Sequence, residues 1–367
     1  MALVNLLQFS PDTGAIISDE EFWNVHFRKR LYADNLQLLL QENMARDWKM
    51  EVVYGGVGYP SVHHEVVRDT RRALARLYSE KKVEGGQPTL IKDIATIAFK
   101  NLQTAIRRRI DQKLTFFFGF SSDDLNRGYY LVNGKKIEIK NEKIKENATG
   151  IASGEKADAL LKAAMESKAV IFGFDETYGI TAYHLSIENW VMGYIHEGFE
   201  AIGAGKYASG LVLGQDFGTK VFKVRKAGYG IGEGILELFE SAVTAADHFK
   251  EVGGNLNLIL LNRRGATRAE QVFELVDHRA RLATEVVRAC KAELLEKSKA
   301  CALMEEIVTG TTSLQETEKN FLGSVNDLTR LHFLLRNYKL GDTDTIKVEL
   351  DDDHVKVIEE FTRGALS

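Results

Sequence analysis

Several groups of residues in this sequence have types and spacings suited to chemistry. His63, His64, Glu65 and Asp69 bring metal-ligating atoms together within a short stretch. Adjacent residues on a helix point about 100° apart, so the two histidines cannot face one ion, and no second ligand cluster accompanies them. Their expected place is a helix surface or cap, and no metal is expected. The run Gly228-Tyr229-Gly230-Ile231-Gly232-Glu233-Gly234 has the glycine density of a phosphate-cradling loop. It lacks both the G-x-G-x-x-G spacing and a closing Lys-Ser/Thr, so it reads as the approach to the following helix. Arg107, Arg108 and Arg109 with Lys113 could hold an anion, but such a run on an amphipathic helix more often forms a solvated face or pairs with acids across a contact. Asp351, Asp352, Asp353 and His354 read as an acidic helix start favoured by the helix dipole. Cys290 and Cys301 stand eleven residues apart in a stretch read as one helix, too far for a disulfide, so reduced thiols are expected.

The frame that must position these groups is large. A chain of 367 residues with 44% hydrophobic and 27% charged residues matches soluble globular composition, which excludes a disordered chain and permits one enlarged domain or two. Its net charge of -4 gives no general attraction to nucleic acid, so no nucleic-acid partner is expected. No run of eighteen apolar residues and no basic-then-apolar leader is present. Neither a membrane span nor a signal peptide is therefore expected, and the cytoplasm is the expected compartment. All three prolines fall in the first quarter, which leaves the remainder free to run in long elements.

Residues 3–9 and 14–19 read as two strands joined by the turn Pro11-Asp12-Thr13-Gly14, and residues 50–58 as another strand. Apolar residues at helical spacing from His64 to Lys82, and from about Pro88 to Ile110, predict two adjacent amphipathic helices. Thr115–Phe120 reads as a short strand, and Gly128–Ile139 as a hairpin turning at Asn133-Gly134. Phe117–Phe120 and Tyr129–Val132 are echoed by Ile171–Phe174 and Ala182–Leu185. The first copy, with a helical segment from Gly154 to Ser167, reads as an insertion or an edge extension of a sheet. Glu233–Phe249 reads as a helix and Leu256–Leu261 as a buried strand, after which 269–307 and 313–338 read as two long helices. A strand at 345–350 and a helix at 354–361 complete the expectation.

The order of four stretches carries a resemblance. The opening Leu3–Phe9, its turn and Ala15–Asp19 are followed by Phe172-Gly173-Phe174-Asp175-Glu176, then Ala201-Ile202-Gly203-Ala204-Gly205, then Asp247–Asn255 ending in Val252-Gly253-Gly254. In this order they resemble the proteasome and N-terminal-nucleophile hydrolase family. That resemblance implies an α+β fold, a four-layer αββα sandwich of proteasome subunit type, over residues 1–265, with 115–167 a possible insertion and 266–367 an added C-terminal helical module.

Catalysis in that family needs a Thr, Ser or Cys as the mature first residue, whose own α-amine acts as base. Removal of Met1 would expose Ala2, which has no oxygen or sulfur. Cleavage before Ser10 or Thr13 would create a nucleophile but delete the strand that presents it, and both residues suit a turn. Asp19 stands where the family has its active-site aspartate. The family's lysine about sixteen residues later falls near Asn35, with Lys29 and Arg30 in another register. The serine of its Gly-Ser-Gly is Ala204, and its Asp-x-x-Ser-Gly becomes Lys250-Glu251-Val252-Gly253-Gly254, with Asp247 out of step. The resemblance thus implies a non-catalytic, self-assembling ring or scaffold subunit that forms homo-oligomers, needs no cofactor and keeps Asp19 as the vestige of a catalytic site. The alternative is an active amidohydrolase or peptidase with an unusual nucleophile.

Overall fold

The computed structural model describes residues 2–24, 29–32, 34–84, 90–188, 191–224, 228–310 and 312–335. The chain opens with β1 (Leu3–Gln8) and β2 (Thr13–Asp19). Their turn is closed by Ser10 Oγ, which accepts from the Asp12 and Thr13 amides at 3.1 and 3.0 Å. The ladder of β3 (Glu21–Asn24) and β4 (Lys29–Tyr32) follows, then β5 (Leu36–Leu38), α1 (Glu42–Trp48) and β6 (Glu51–Val57). Two long helices, α2 (Pro60–Glu84) and α3 (Ile91–Phe118), pack on one another. Beyond them lie α4 (Ser122–Arg127), β7 (Tyr129–Val132), β8 (Lys135–Glu138), α5 (Glu142–Ala152) and α6 (Ala159–Met165). Four strands come next: β9 (Lys168–Asp175), β10 (Gly179–Ser186), β11 (Val191–Tyr194) and β12 (Phe199–Gly203). Helices α7 (Lys206–Val224) and α8 (Ile231–His248) precede β13 (Leu256–Asn262), α9 (Arg268–Gln271) and β14 (Val272–Leu275). The described chain ends with α10 (Asp277–Lys291), α11 (Lys297–Thr309), α12 (Leu314–Ser324) and α13 (Leu328–Leu335).

Two five-stranded antiparallel sheets organise these elements, in the orders β12-β1-β2-β13-β14 and β11-β10-β9-β6-β5. Alternation along a strand sends successive side chains to opposite faces. Leu3, Leu7, Ala15 and Ile17 accordingly join α8, α10 and α11 in one hydrophobic cluster. Val4, Leu6 and Ile16 instead meet Val53, Val170 and Phe172 of the other sheet in a second. Val52, Tyr54, Ala169 and Ile171 turn the other way, into a third cluster with α2 and α3. Among the described residues, no helix is long and apolar enough to cross a membrane.

Polar ties fix the layers at several points. Asn5 Nδ2, on the helix side of β1, donates to Ser209 Oγ of α7 at 3.0 Å and to Ser241 Oγ of α8 at 2.9 Å. At the β1–β2 turn, Asp12 accepts from Arg263 at 2.8 Å and from Arg264 at 2.7 Å, while Arg263 Nη1 also reaches the carbonyls of Asp175 and Glu176 in the β9–β10 turn. Burial opposes charge on Asp12, but the bonds and charges of Arg264 and Arg263 outweigh it and lower its pKa. The buried Glu51 accepts from Arg268 Nε at 2.7 Å, which fastens α9 to β6.

Four local readings change. The stretch 313–338 is not one helix, because the chain leaves α12 at Val325 in an extended conformation and restarts as α13 at Leu328. Thr115–Phe118 extends α3 rather than forming a strand, and Gly119, at φ 78°, ends the helix in the left-handed region. The two aromatic-rich copies are also unlike: β7 pairs only with β8, through Asn133 (φ 50°) and Gly134 (φ 77°), whereas β9 and β10 form the centre of a sheet. The stretch 269–307 is not one helix, because β14 interrupts it and Glu293, at φ 59°, separates α10 from α11. Cys290 and Cys301 therefore lie on different helices, with no disulfide joining them. The segments expected at 345–350 and 354–361, and Asp351–His354, lie outside the described residues.

Phe172 is fully buried between the sheets, and a Cβ added to Gly14 would come within 2.9 Å of its ring. Phe172→Ala should therefore destabilise the protein by about 3–5 kcal/mol, measured as a lowered urea midpoint at unchanged slope. A loss below about 1 kcal/mol would mean that the sheets do not depend on this contact.

Candidate functional site

The sequence directs attention to Asp19, the last residue of β2. β1 lies beside it in antiparallel register, Val4 opposite Ser18, which brings the Leu3 amide to the carboxyl. Leu3 N donates to Asp19 Oδ1 at 2.8 Å and Gly253 N donates to Oδ2 at 3.3 Å. Gly253 reaches this point because Asn255 O accepts from Glu20 N at 3.0 Å and Val252 is buried beneath the loop. Asn35 Nδ2 donates to the Asp19 carbonyl at 2.6 Å and lies 3.5 Å from Oδ1. Asn35 O in turn accepts from Gly56 N of β6, so the site joins the two sheets.

Asp19 has no solvent exposure. Burial pushes its carboxyl up to about 8 from an ordinary 3.8, against the amides of Leu3 and Gly253, which favour the charged form. Among the described residues, the groups bonded to it are amides, two from the backbone and one from Asn35. A lysine at position 35 would have supplied a cation there.

The other positions singled out by the sequence are brought close only in part. Ala204 N donates to Ala2 O at 3.0 Å, so Ala204 supports the start of β1 through its backbone. Gly203, at φ 94°, permits this approach, since a Cβ there would fall 2.0 Å from Ala2 O. Ala2 is itself buried and carries no hydroxyl or thiol. Asp247 lies elsewhere, paired with Arg288 and Lys291 of α10. Lys29 and Arg30 are on β4, and their side chains lie outside what is described. Ser10 and Thr13 are turn residues, as expected.

The remaining constellations resolve structurally. His63 is buried, with Nδ1 2.7 Å from the Tyr54 hydroxyl and Nε2 2.9 Å from Val57 O, while His64 is exposed. Burial lowers the His63 pKa to about 4, so the neutral ring donates from Nε2 to Val57 O and accepts from Tyr54 at Nδ1. The glycine run is a close-packing device: Gly228 abuts Phe9 O, Gly232 abuts Cys301 O and Gly234 abuts the Phe9 ring. Among the described residues, no group of three potential ligands could hold a metal ion. Asn5, Ser209 and Ser241 gave no sequence signal, because a buried polar network has no period of its own.

No protein-family model matches the chain, and no curated protein matches it. Among solved structures, it is similar to Anbu (ancestral beta-subunit) from Yersinia bercovieri, at 12% identity and a TM-score of 0.47, over 79% of this chain and 93% of that one. It is likewise similar to an Anbu (Gly-1) mutant from Hyphomicrobium sp. strain MC1, at 12% identity and a TM-score of 0.49, over 80% of this chain and 96% of that one.

The raised Asp19 pKa has a definite sign in unfolding. Between 3.8 and about 8 the native state holds a proton that the unfolded chain releases, so this contribution to stability is complete below 3.8 and is lost as pH rises through about 8. Denaturant unfolding at pH 5 and pH 8 should show wild type losing more stability than Asp19→Asn, by at most about 1.4 kcal/mol per pH unit. Identical pH profiles would mean that Asp19 titrates near its ordinary value in the folded protein.

Proposed function

We propose that this chain is a proteasome-like protein without catalysis, acting as a self-assembling ring or scaffold subunit. The fold reading rests on the two facing sheets and on three apolar clusters, one between the sheets and one on each outer face. These suit a four-layer αββα sandwich over residues 1–265, with 115–167, which begins in the last turn of α3, read as a possible insertion and 266–367 as an added C-terminal helical module.

One observation carries the loss of catalysis. Among the described residues, the side chain reaching Asp19 is the neutral Asn35 amide, and the side chains of the neighbouring Ala2, Leu3 and Ala204 offer neither oxygen nor sulfur. An activated nucleophile needs both an attacking atom and a group that lowers its pKa or takes its proton. Asp19 alone can do neither to an amide substrate. Its bonds to β1, the 253 loop and residue 35 give it a structural role in place of the catalytic one.

Self-assembly is supported by large apolar side chains left in water on α7, Tyr207 and Leu211. Such groups mark contact surfaces when they cluster.

Light scattering on the purified full chain should give a discrete multiple of the chain mass, with no cleavage of fluorogenic peptides. Intact-mass spectrometry on the same sample should find no form beginning at Ser10 or Thr13. A chain trimmed to either residue, with peptide hydrolysis abolished by Asp19→Ala, would overturn the non-catalytic reading, and a monomer at all concentrations would overturn the scaffold.

A further inference from the structure

The cationic run of α3 borders a cleft away from the Asp19 site and independent of the assembly reading. Between α2, α3 and α6 lies a cavity of about 680 Å³ lined by Arg68, Arg108, Arg109 and Lys113, with Glu65 the only carboxylate on its wall. Glu65 accepts from both Arg108 and Arg109, so a single negative charge is shared by two guanidinium groups. Arg109 is mostly buried and is held in place by three bonds, to Glu65 at 2.8 Å, to the Ala105 carbonyl at 2.8 Å and to Ser61 Oγ at 3.1 Å. A guanidinium fixed in this way loses little freedom when an anion arrives.

The other two cations are tied more loosely. Arg68 bonds Asp69 and Lys113 bonds Asp158, both pairs in contact with water. Exposed pairs are weak and exchange readily for a better-placed anion. Asp69 also feels Arg72 and Arg108; the bond from Arg68, and then these charges, hold its carboxyl below the ordinary value. Positive charge therefore exceeds negative charge around the cleft.

Apolar surface stands at the same place. Phe116 is 82% exposed and shares the wall with Arg108, and Leu160 on the facing side is 42% exposed. The volume lies within the range of small-ligand sites, about 300–1,000 Å³. A lone carboxylate would repeat what Glu65 already supplies, whereas a dianion compensates more of the excess charge and offers three oxygens to forked donors.

We infer that this cleft binds a small phosphate monoester with an aromatic or heteroaromatic body, its phosphate held by Arg68, Arg108 and Lys113 and its ring lying against Phe116. Arg109, locked by Glu65 and Ser61, positions Arg108 through the shared carboxylate.

Isothermal titration calorimetry on the full chain at low salt tests this with phenyl phosphate, adenosine monophosphate, inorganic phosphate and benzoate. Both esters should bind, with benzoate and inorganic phosphate each weaker by roughly tenfold or more. Arg108→Gln, at an exposed residue, and Lys113→Gln, at a half-buried one, each checked for an unchanged melting temperature, should weaken phenyl phosphate by roughly tenfold. Phe116→Ser should weaken both esters and leave inorganic phosphate unchanged. Absence of binding to either ester at millimolar concentration would overturn the inference. So would benzoate or inorganic phosphate binding as tightly as phenyl phosphate, or ester binding unaffected by the two charge-removing variants.

Discussion

Two twisted sheets can lie face to face only if each inward side chain is apolar and the opposing surfaces interdigitate without gaps. In this protein that condition is met along the contact of Val4, Leu6 and Ile16 with Val53, Val170 and Phe172, and everything else is arranged around it. Small residues make the approach possible. A Cβ at Gly55 would crowd Val4, Ile16 and Val170 together, and one at Gly14 would meet the Phe172 ring. The helices then cover the outer faces, because the same alternation that fills the middle also leaves Leu7, Ile17, Tyr54 and Ile171 pointing outward.

The polar groups at the margins of this contact fasten its edges. Asp12 with Arg263 and Arg264 closes one margin, where the turns of both sheets meet, and Asp19 with Asn35 closes another. Asp19 has both side-chain oxygens and its own carbonyl engaged. A buried carboxyl in this state costs free energy through desolvation, and its amide donors offset part of that cost. Asp19 here ties β1, the loop at Gly253 and Asn35 to the end of β2.

Much of this was legible from residue order, for identifiable reasons. The β1–β2 hairpin and the β7–β8 hairpin are encoded locally, by Pro11 to Gly14 and by Asn133-Gly134, whose backbone preferences leave little choice. Asp19 and the importance of position 35 came from the resemblance, and the two residues are in contact. What could not be read depends on distant partners or on breaks without punctuation. Thr115–Phe118 has β-favouring residues, yet it is carried on as helix from the long periodic segment before it. The division between α10 and α11 falls at Glu293, a residue type that rarely marks a helix end, and β14 is four residues whose strand character exists only beside β13. The Asn5 network joins positions more than two hundred residues apart, beyond any periodicity.

The strand order of the first sheet also bears on how the chain is made. The β1–β2 hairpin leaves the ribosome well before the segments that complete its edges, β12 on one side and β13 on the other. At translation speeds of about 5–20 residues per second, these edges wait on the order of ten seconds or more for their partners. Throughout that interval a short, strongly apolar ribbon presents unpaired amides and carbonyls to whatever is nearby, the situation in which nascent chains pair wrongly with one another. With this strand order, mispairing at the two open edges is the hazard of the interval before β12 and β13 arrive.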